Sequence, residues 1–232
     1  MGNCLKTQLK EVVNNDNLDF LGALRIPLSA YNSIGLFQIT KPDSTGKFLI
    51  LGNGVFCNQD GTETYGKEIN NTYKFYIKGA QNGDYLISLD KYSMTAIYSN
   101  TSSILRSSEK INFDFCNNLR EINLLGSLCT IELNKVSLYA KDLAELVLSY
   151  NNNVDGDIET IVENILKLGR NTGTLSVKGY NTKIRLNGVN FFTVYSDRTE
   201  TMTITFGNNS ATCTWKGNTV ASYNGSTWTY SS

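Results

Sequence analysis

Leu119-Arg120-Glu121-Ile122-Asn123-Leu124 and Leu143-Ala144-Glu145-Leu146-Val147-Leu148 are the stretches whose reading decides the fold. Both have the form Leu-x-x-apolar-x-Leu, and Leu128-x-x-Ile131-x-Leu133 stands between them. Apolar residues on alternate positions describe a strand with one dry face. A strand this short cannot bury that face alone. Its repetition along the chain calls for a stack in which each unit covers the next.

This is the strand signature of a leucine-rich repeat, and in the copy at Leu143 the pattern runs on to Asn151, the position where such repeats carry asparagine. Asn151 is expected to bond turn backbone and align neighbouring coils. The step from Leu119 to Leu143 fits a repeat of 20–29 residues, whereas Leu128 follows Leu119 too closely. Either it or its neighbour is then a packing leucine between strands. A degenerate copy follows at Thr172-x-x-Leu175-x-Val177. Between them Asp155-Gly156-Asp157 opens a helix running to about Leu168, with Ile158, Ile161, Val162, Ile165 and Leu168 on one side. Asp155 or Asp157 serves as N-cap and Gly169 follows the end. Two to three coils are expected between about 110 and 188. Leu119, Ile122, Leu124, Ile131, Leu133, Leu146 and Leu148 should form their core.

Upstream, residues 22–106 read as a β domain with strands at Leu24–Leu28, Leu36–Thr40, Lys47–Leu51, Tyr73–Lys78 and Asp84–Leu89. The last two, joined across Gly79–Gly83, read as a hairpin, and each alternates as a strand with one wet face does. Residues 107–190 are the repeat domain. Residues 191–232 read as an antiparallel meander, with strands at Phe191–Tyr195, Met202–Phe206, Ala211–Trp215, Thr219–Tyr223 and Thr227–Tyr230. Asn-Gly and Lys-Gly pairs mark its turns. Threonines alternating with the apolar residues give it a polar outer face, and it is placed to cap the last coil. Residues 1–21 read as a short extended or helical arm. The fold class is therefore mainly β with minor α.

Composition restricts function. The 232 residues contain no histidine, which removes the commonest general base and metal ligand. Twenty-one basic and 21 acidic residues balance, and no basic run exists to neutralise phosphates, so no nucleic-acid partner is expected. No apolar stretch approaches the length of a membrane helix, so no membrane partner is expected either. Met1–Thr7 lacks the apolar core of a secretory signal, and Lys6 stands where a myristoylation motif wants Ser or Thr. The five cysteines never form Cys-x-x-Cys and read as reduced, mostly buried thiols. No cofactor is expected.

Two carboxylate readings are open. Asp155-x-Asp157-x-Glu159 has calcium-loop spacing, but helix capping explains it without a metal. Asp197-x-x-Glu200 with Asp114 supplies acids for glycoside hydrolysis, with nothing to fix their separation. Neither outweighs a non-enzymatic reading. Tyr195, Tyr223 and Tyr230, gathered with Trp215 and Trp228 near the C-terminus, are either contact residues for a glycan or receptor, or filling for a small sheet. The tryptophans favour the latter.

Some runs carry a resemblance. Met1-Gly2-Asn3-Cys4-Leu5-Lys6-Thr7-Gln8-Leu9-Lys10 followed by Val12-Val13-Asn14-Asn15-Asp16-Asn17-Leu18 resembles the opening of structural proteins of crAss-like phages of gut Bacteroidetes. Tyr73–Gly79, Gly83-Asp84-Tyr85 and the helix start Gly156-Asp157-Ile158 continue it, so that it spans most of residues 1–190. The repeats here are few and irregular. The resemblance implies a virion surface protein: a head fibre, a capsid decoration or a tail-associated fibre, assembled in the bacterial cytoplasm. Its arm, with Leu5, Leu9, Val12, Val13 and Leu18, would dock on capsid or tail proteins, and the C-terminal sheet would be displayed. A homo-trimer is the first expectation and a dimer the second. A host surface glycan is a possible ligand, and a glycan depolymerase is the remotest alternative.

Overall fold

The computed structural model describes residues 22–30, 34–41, 48–64, 67–69, 72–88, 90–99, 109–125, 129–149, 154–193 and 200–231. The expected docking residues Leu5, Leu9, Val12, Val13 and Leu18, and also Leu128, Asn151, Tyr195 and Asp197, lie outside them.

The first part of the chain supplies β1 (Leu24–Pro27), β2 (Gly35–Thr40), β3 (Phe48–Leu51), β4 (Val55–Cys57), β5 (Lys67–Ile69), β6 (Thr72–Lys78), β7 (Tyr85–Ser88) and β8 (Ala96–Ser99). The middle alternates β9 (Glu121–Leu125), β10 (Ile131–Glu132), helix α1 (Leu133–Val136), β11 (Glu145–Ser149), β12 (Val154–Asp157), helix α2 (Ile158–Lys167), β13 (Thr174–Tyr180), β14 (Lys183–Leu186) and β15 (Val189–Asn190). The last part is β16 (Thr201–Gly207), β17 (Ser210–Trp215), β18 (Asn218–Tyr223) and β19 (Trp228–Tyr230). The protein is mainly β, with little helix, as its alternating patterns require.

A 12-stranded sheet runs β19-β18-β17-β16-β13-β11-β9-β8-β2-β6-β4, with β5 also on β6. Its centre is parallel: β8 pairs with β9, β9 with β11 and β11 with β13. A second sheet, β10-β12-β14-β15, repeats the parallel pairing from β10 through β14. Along the parallel centre, β9, β11 and β13 of the large sheet are each followed by a strand of the small one, and the chain then returns to the large sheet one place further on. Ile122, Leu124, Leu146, Leu148, Leu175 and Val177 point between the sheets, where Ile131, Val154, Ile158, Ile161, Val162 and Ile165 meet them, all buried. Burying each leucine is worth about 2 kcal/mol. Leu119 and Leu133 are buried in the same cluster.

Several sequence expectations are corrected. Ile131 of the middle leucine copy lies on the second sheet and Leu133 starts α1, so this copy belongs to the wall opposite the Leu119 copy. Its closeness to Leu119 follows from that. The degenerate copy is displaced by two residues: Leu146 pairs with Val177, not Leu175. A slip of two keeps the same face inward, so the hydrophobic pattern cannot detect it. Gly179 thereby faces the core, and Phe192 fills the space a side chain would take. Asp157 is the N-cap of α2 by position, but its side chain makes no capping hydrogen bond.

The expected hairpin between β6 and β7 does not form. β6 pairs with β2, β4 and β5, whereas β7 sits between β1 and β3 in a separate three-stranded sheet. The buried Asp84 carboxylate accepts hydrogen bonds from the N–H groups of Asn53, Gly54 and Gln81, at 2.9, 3.0 and 2.9 Å. These bonds tie the connection to the β3–β4 turn and lead the chain out of the first sheet. As a central strand β7 buries Leu86, Ile87 and Ser88 on both faces, so its expected wet face is absent. Phe191–Thr193 is not a strand; Phe192 turns into the core there. One core cluster extends from Leu24 to Ala221 and the large sheet crosses both expected boundaries between folded domains.

Candidate functional site

The C-terminal hairpins close over helix α2. Lys216 and Gly217, both at positive φ (51° and 80°), make the two-residue turn from β17 to β18. That conformation matches strand twist and favours glycine at its second position. From β18 to β19 the chain turns through Asn224-Gly225, with Gly225 at φ 97°. The register then pairs Tyr223 with Trp228 and Ala221 with Tyr230. Tyr223, Trp228 and Tyr230 form an aromatic row, with centroids 5.2 and 6.3 Å apart.

Two carboxylates one helical turn apart on α2 receive this row. Trp228 Nε1 donates to Glu163 Oε1 at 3.1 Å, and the Tyr230 hydroxyl to Glu159 Oε1 at 3.0 Å. The Asn187 N–H donates to the same Glu159 oxygen at 2.5 Å. Burial, then the hydrogen bond to Glu159, pushes the Tyr230 phenol up to about 12. Burial, then the charge of Glu159, pushes Cys213 up to about 12 as well. A thiol so placed stays protonated at neutral pH and is no nucleophile. The row works as a clamp of the terminal hairpin on the helix. Tyr230 is nevertheless 38% exposed at the sheet edge. At the other end of β17, Trp215 meets Phe191 and Phe192 edge-on at 5.3 and 5.1 Å and covers the last coil.

The sheet's other face is polar. The register aligns Thr174, Thr205, Thr212, Ser222 and Thr229 across five strands, and Ser176, Thr203 and Thr214 beside them. Further along, Glu121 and Glu145 are neighbours on parallel strands, and Lys178 lies 3.5 Å from Glu145. Burial, then the charge of Glu145, raises the Glu121 carboxyl.

Two of the three carboxylates offered to calcium are engaged by a cation. Arg185 reaches Asp155 at 2.7 Å and Asp157 at 3.0 Å. Among the described residues no three His, Cys, Asp or Glu side chains are grouped to hold a metal ion. Glu200 is paired with Lys216, and Asp114 lies in the loop before β9, on a different part of the chain. Cys57, Cys116, Cys129 and Cys213 are buried.

Two residues that belong to no sequence motif tie successive segments of the chain together. Asn134 accepts from the Asp157 N–H at 2.9 Å and donates to its carboxylate at 3.2 Å, bridging successive coils. Arg170 is buried and donates to the carbonyls of Leu143, Thr172 (3.2 Å) and Thr174 (2.8 Å), over the Phe206 ring at 4.3 Å. It satisfies backbone acceptors of two adjacent loops. A lone arginine after Gly169 belongs to no motif, so only its neighbours in space reveal its role.

No protein-family model, no curated protein and no solved structure matches the chain.

Proposed function

We propose that the chain is a structural protein of a bacteriophage virion, projecting from the particle as a head fibre or decoration and anchored by residues 1–21. In this reading the stacked coils are a degenerate leucine-rich-repeat solenoid without catalytic function. The protein is built in the host cytoplasm and associates with itself, as a trimer before a dimer. The observation that carries the reading is the single large sheet, threonine-rich on its outer face and closed at its C-terminal end by hairpins. Such a sheet presents an extended polar surface and needs no enclosed pocket. The similarity of the first 18 residues to crAss-like phage proteins supplies the phage context.

The test is a chain lacking residues 1–21, offered to assembling particles and followed by mass spectrometry of cross-linked virions. The truncated chain should fold with its melting temperature unchanged and be missing from the particle. Normal incorporation would overturn the docking role.

The exposed edge of Tyr230 favours a second reading, a carbohydrate- or receptor-binding tail fibre module. Under it, the parent protein binds on a glycan array and Tyr223→Ala with Tyr230→Ala abolishes that binding. A fall in melting temperature with no array signal in the parent protein assigns the row to the clamp alone.

A further inference from the structure

We infer that Asn224 is a self-modification site: a folded-state trap that promotes its own conversion to aspartate and isoaspartate. Asn224 Oδ1 accepts four hydrogen bonds: from the N–H groups of Ser226 (3.0 Å) and Thr227 (2.9 Å), and from the hydroxyls of Ser226 (3.0 Å) and Thr227 (3.2 Å). Two of these donors are backbone N–H groups, which cannot accept, so the atom they meet is the amide oxygen. The next residue is Gly225, which has no side chain of its own to crowd its nitrogen, packs against Asn209, and whose N–H, among the described residues, makes no hydrogen bond. The ring closed by the Ser226 N–H on Oδ1 contains both Asn224 Cγ and Gly225 N. Nucleophile and electrophile are therefore held in one turn, at an exposed hairpin tip that water reaches.

The chemistry balances with water alone. Gly225 N attacks Asn224 Cγ and gives its proton to solvent, and Oδ1 takes up the electron pair as an oxyanion. Collapse expels Nδ2 with a proton as ammonia and leaves a five-membered imide. Water opens the imide at either carbonyl, giving aspartate or isoaspartate. Four donors already aimed at Oδ1 strengthen as charge grows there, because hydrogen bonds to an ionised acceptor are about twice as strong as neutral ones. The part of their strength already present in the amide gives no acceleration.

The chain contains its own controls. It has four Asn-Gly pairs: Asn53-Gly54, Asn82-Gly83, Asn187-Gly188 and Asn224-Gly225. The Gly54 N–H is committed to Asp84. Among the described residues, Asn82 Oδ1 meets one donor, the Ala30 N–H at 2.9 Å. Asn187 has no such cradle among the described residues. The Asn-Gly pair itself is common to all four, whereas the flanking residues and the folded surroundings differ.

The experiment is incubation of the full chain at mildly alkaline pH, folded and in urea, with peptide mapping by mass spectrometry to read conversion at each pair. Folded, Asn224 should convert about tenfold faster than each of the other three. In urea the four rates should converge. Ser226→Ala with Thr227→Val, its fold checked by circular dichroism, should slow Asn224 in the folded chain and leave its rate in urea unchanged. The inference is overturned if folded Asn224 converts no faster than the other three pairs, or if its lead persists in urea. The isoaspartyl product inserts a methylene into the backbone at the turn, so the converted fraction should also lose the clamp of Trp228 and Tyr230 on α2.

Discussion

Glu121 shows how one residue's surroundings set a cost that its neighbours in sequence do not reveal. It stands on β9 beside Glu145 of β11, and burial and that second carboxylate both raise its pKa in the folded protein. A carboxyl raised on folding favours the protonated fold, so it adds stability below its unfolded pKa and forfeits it as pH rises through the folded value. At neutral pH the ionised group is therefore a burden. Glu121→Gln should raise the urea midpoint at pH 7, and the gain should vanish once pH falls below the ordinary carboxylate range. An equal midpoint at pH 7 would mean that the Asn123 hydrogen bond offsets the repulsion. The glutamates themselves are plain in the sequence; their adjacency follows from the parallel register.

Among the elements, β13 relies on a residue beyond its own end to complete its buried face. A methyl group on Gly179 would lie 2.7 Å from the Phe192 ring and 3.0 Å from the Thr182 hydroxyl. Glycine there gives the phenyl ring room, and the ring replaces the inward side chain that Leu148 provides one coil earlier. Gly179→Ala should cost about 1–3 kcal/mol by overpacking, measured by chemical denaturation. Combined with Phe192→Leu, the loss should be smaller than the sum of the two single losses, since they share one space. Strict additivity would show that the two sites are independent. A similar closeness serves the coils at Gly156, where a methyl group would approach Leu133 Cβ to 2.9 Å.

For the whole molecule the question is whether the expected domains unfold separately. One core cluster joins β1 to β18, and both tryptophans report from the C-terminal hairpins. A shared core predicts a single transition, with tryptophan fluorescence and far-ultraviolet circular dichroism giving the same midpoint in denaturant. A fluorescence midpoint well below that of the dichroism would make the meander an independent cap. The clamp of Trp228 and Tyr230 on α2 adds to the β13–β16 pairing that couples them.

The period of the apolar residues determined most of the elements. β1, β2, β3, β6, β11, α2 and the strands from β16 to β19 fall where alternation or helical spacing puts them, because burying one face is a local demand written in local residues. The inward direction of Ile122, Leu124, Leu146 and Leu148 follows from the same demand. Tertiary structure alone decided which strand lies beside which. A slip of two residues at β13, the passage of β7 into another sheet and the placing of Ile131 on the opposite wall all leave the periodicity unchanged. The polar ties at Asp84, Asn134, Arg170, Glu159 and Glu163 were equally invisible. Each joins groups far apart in the chain, and a hydrogen bond leaves no period behind it.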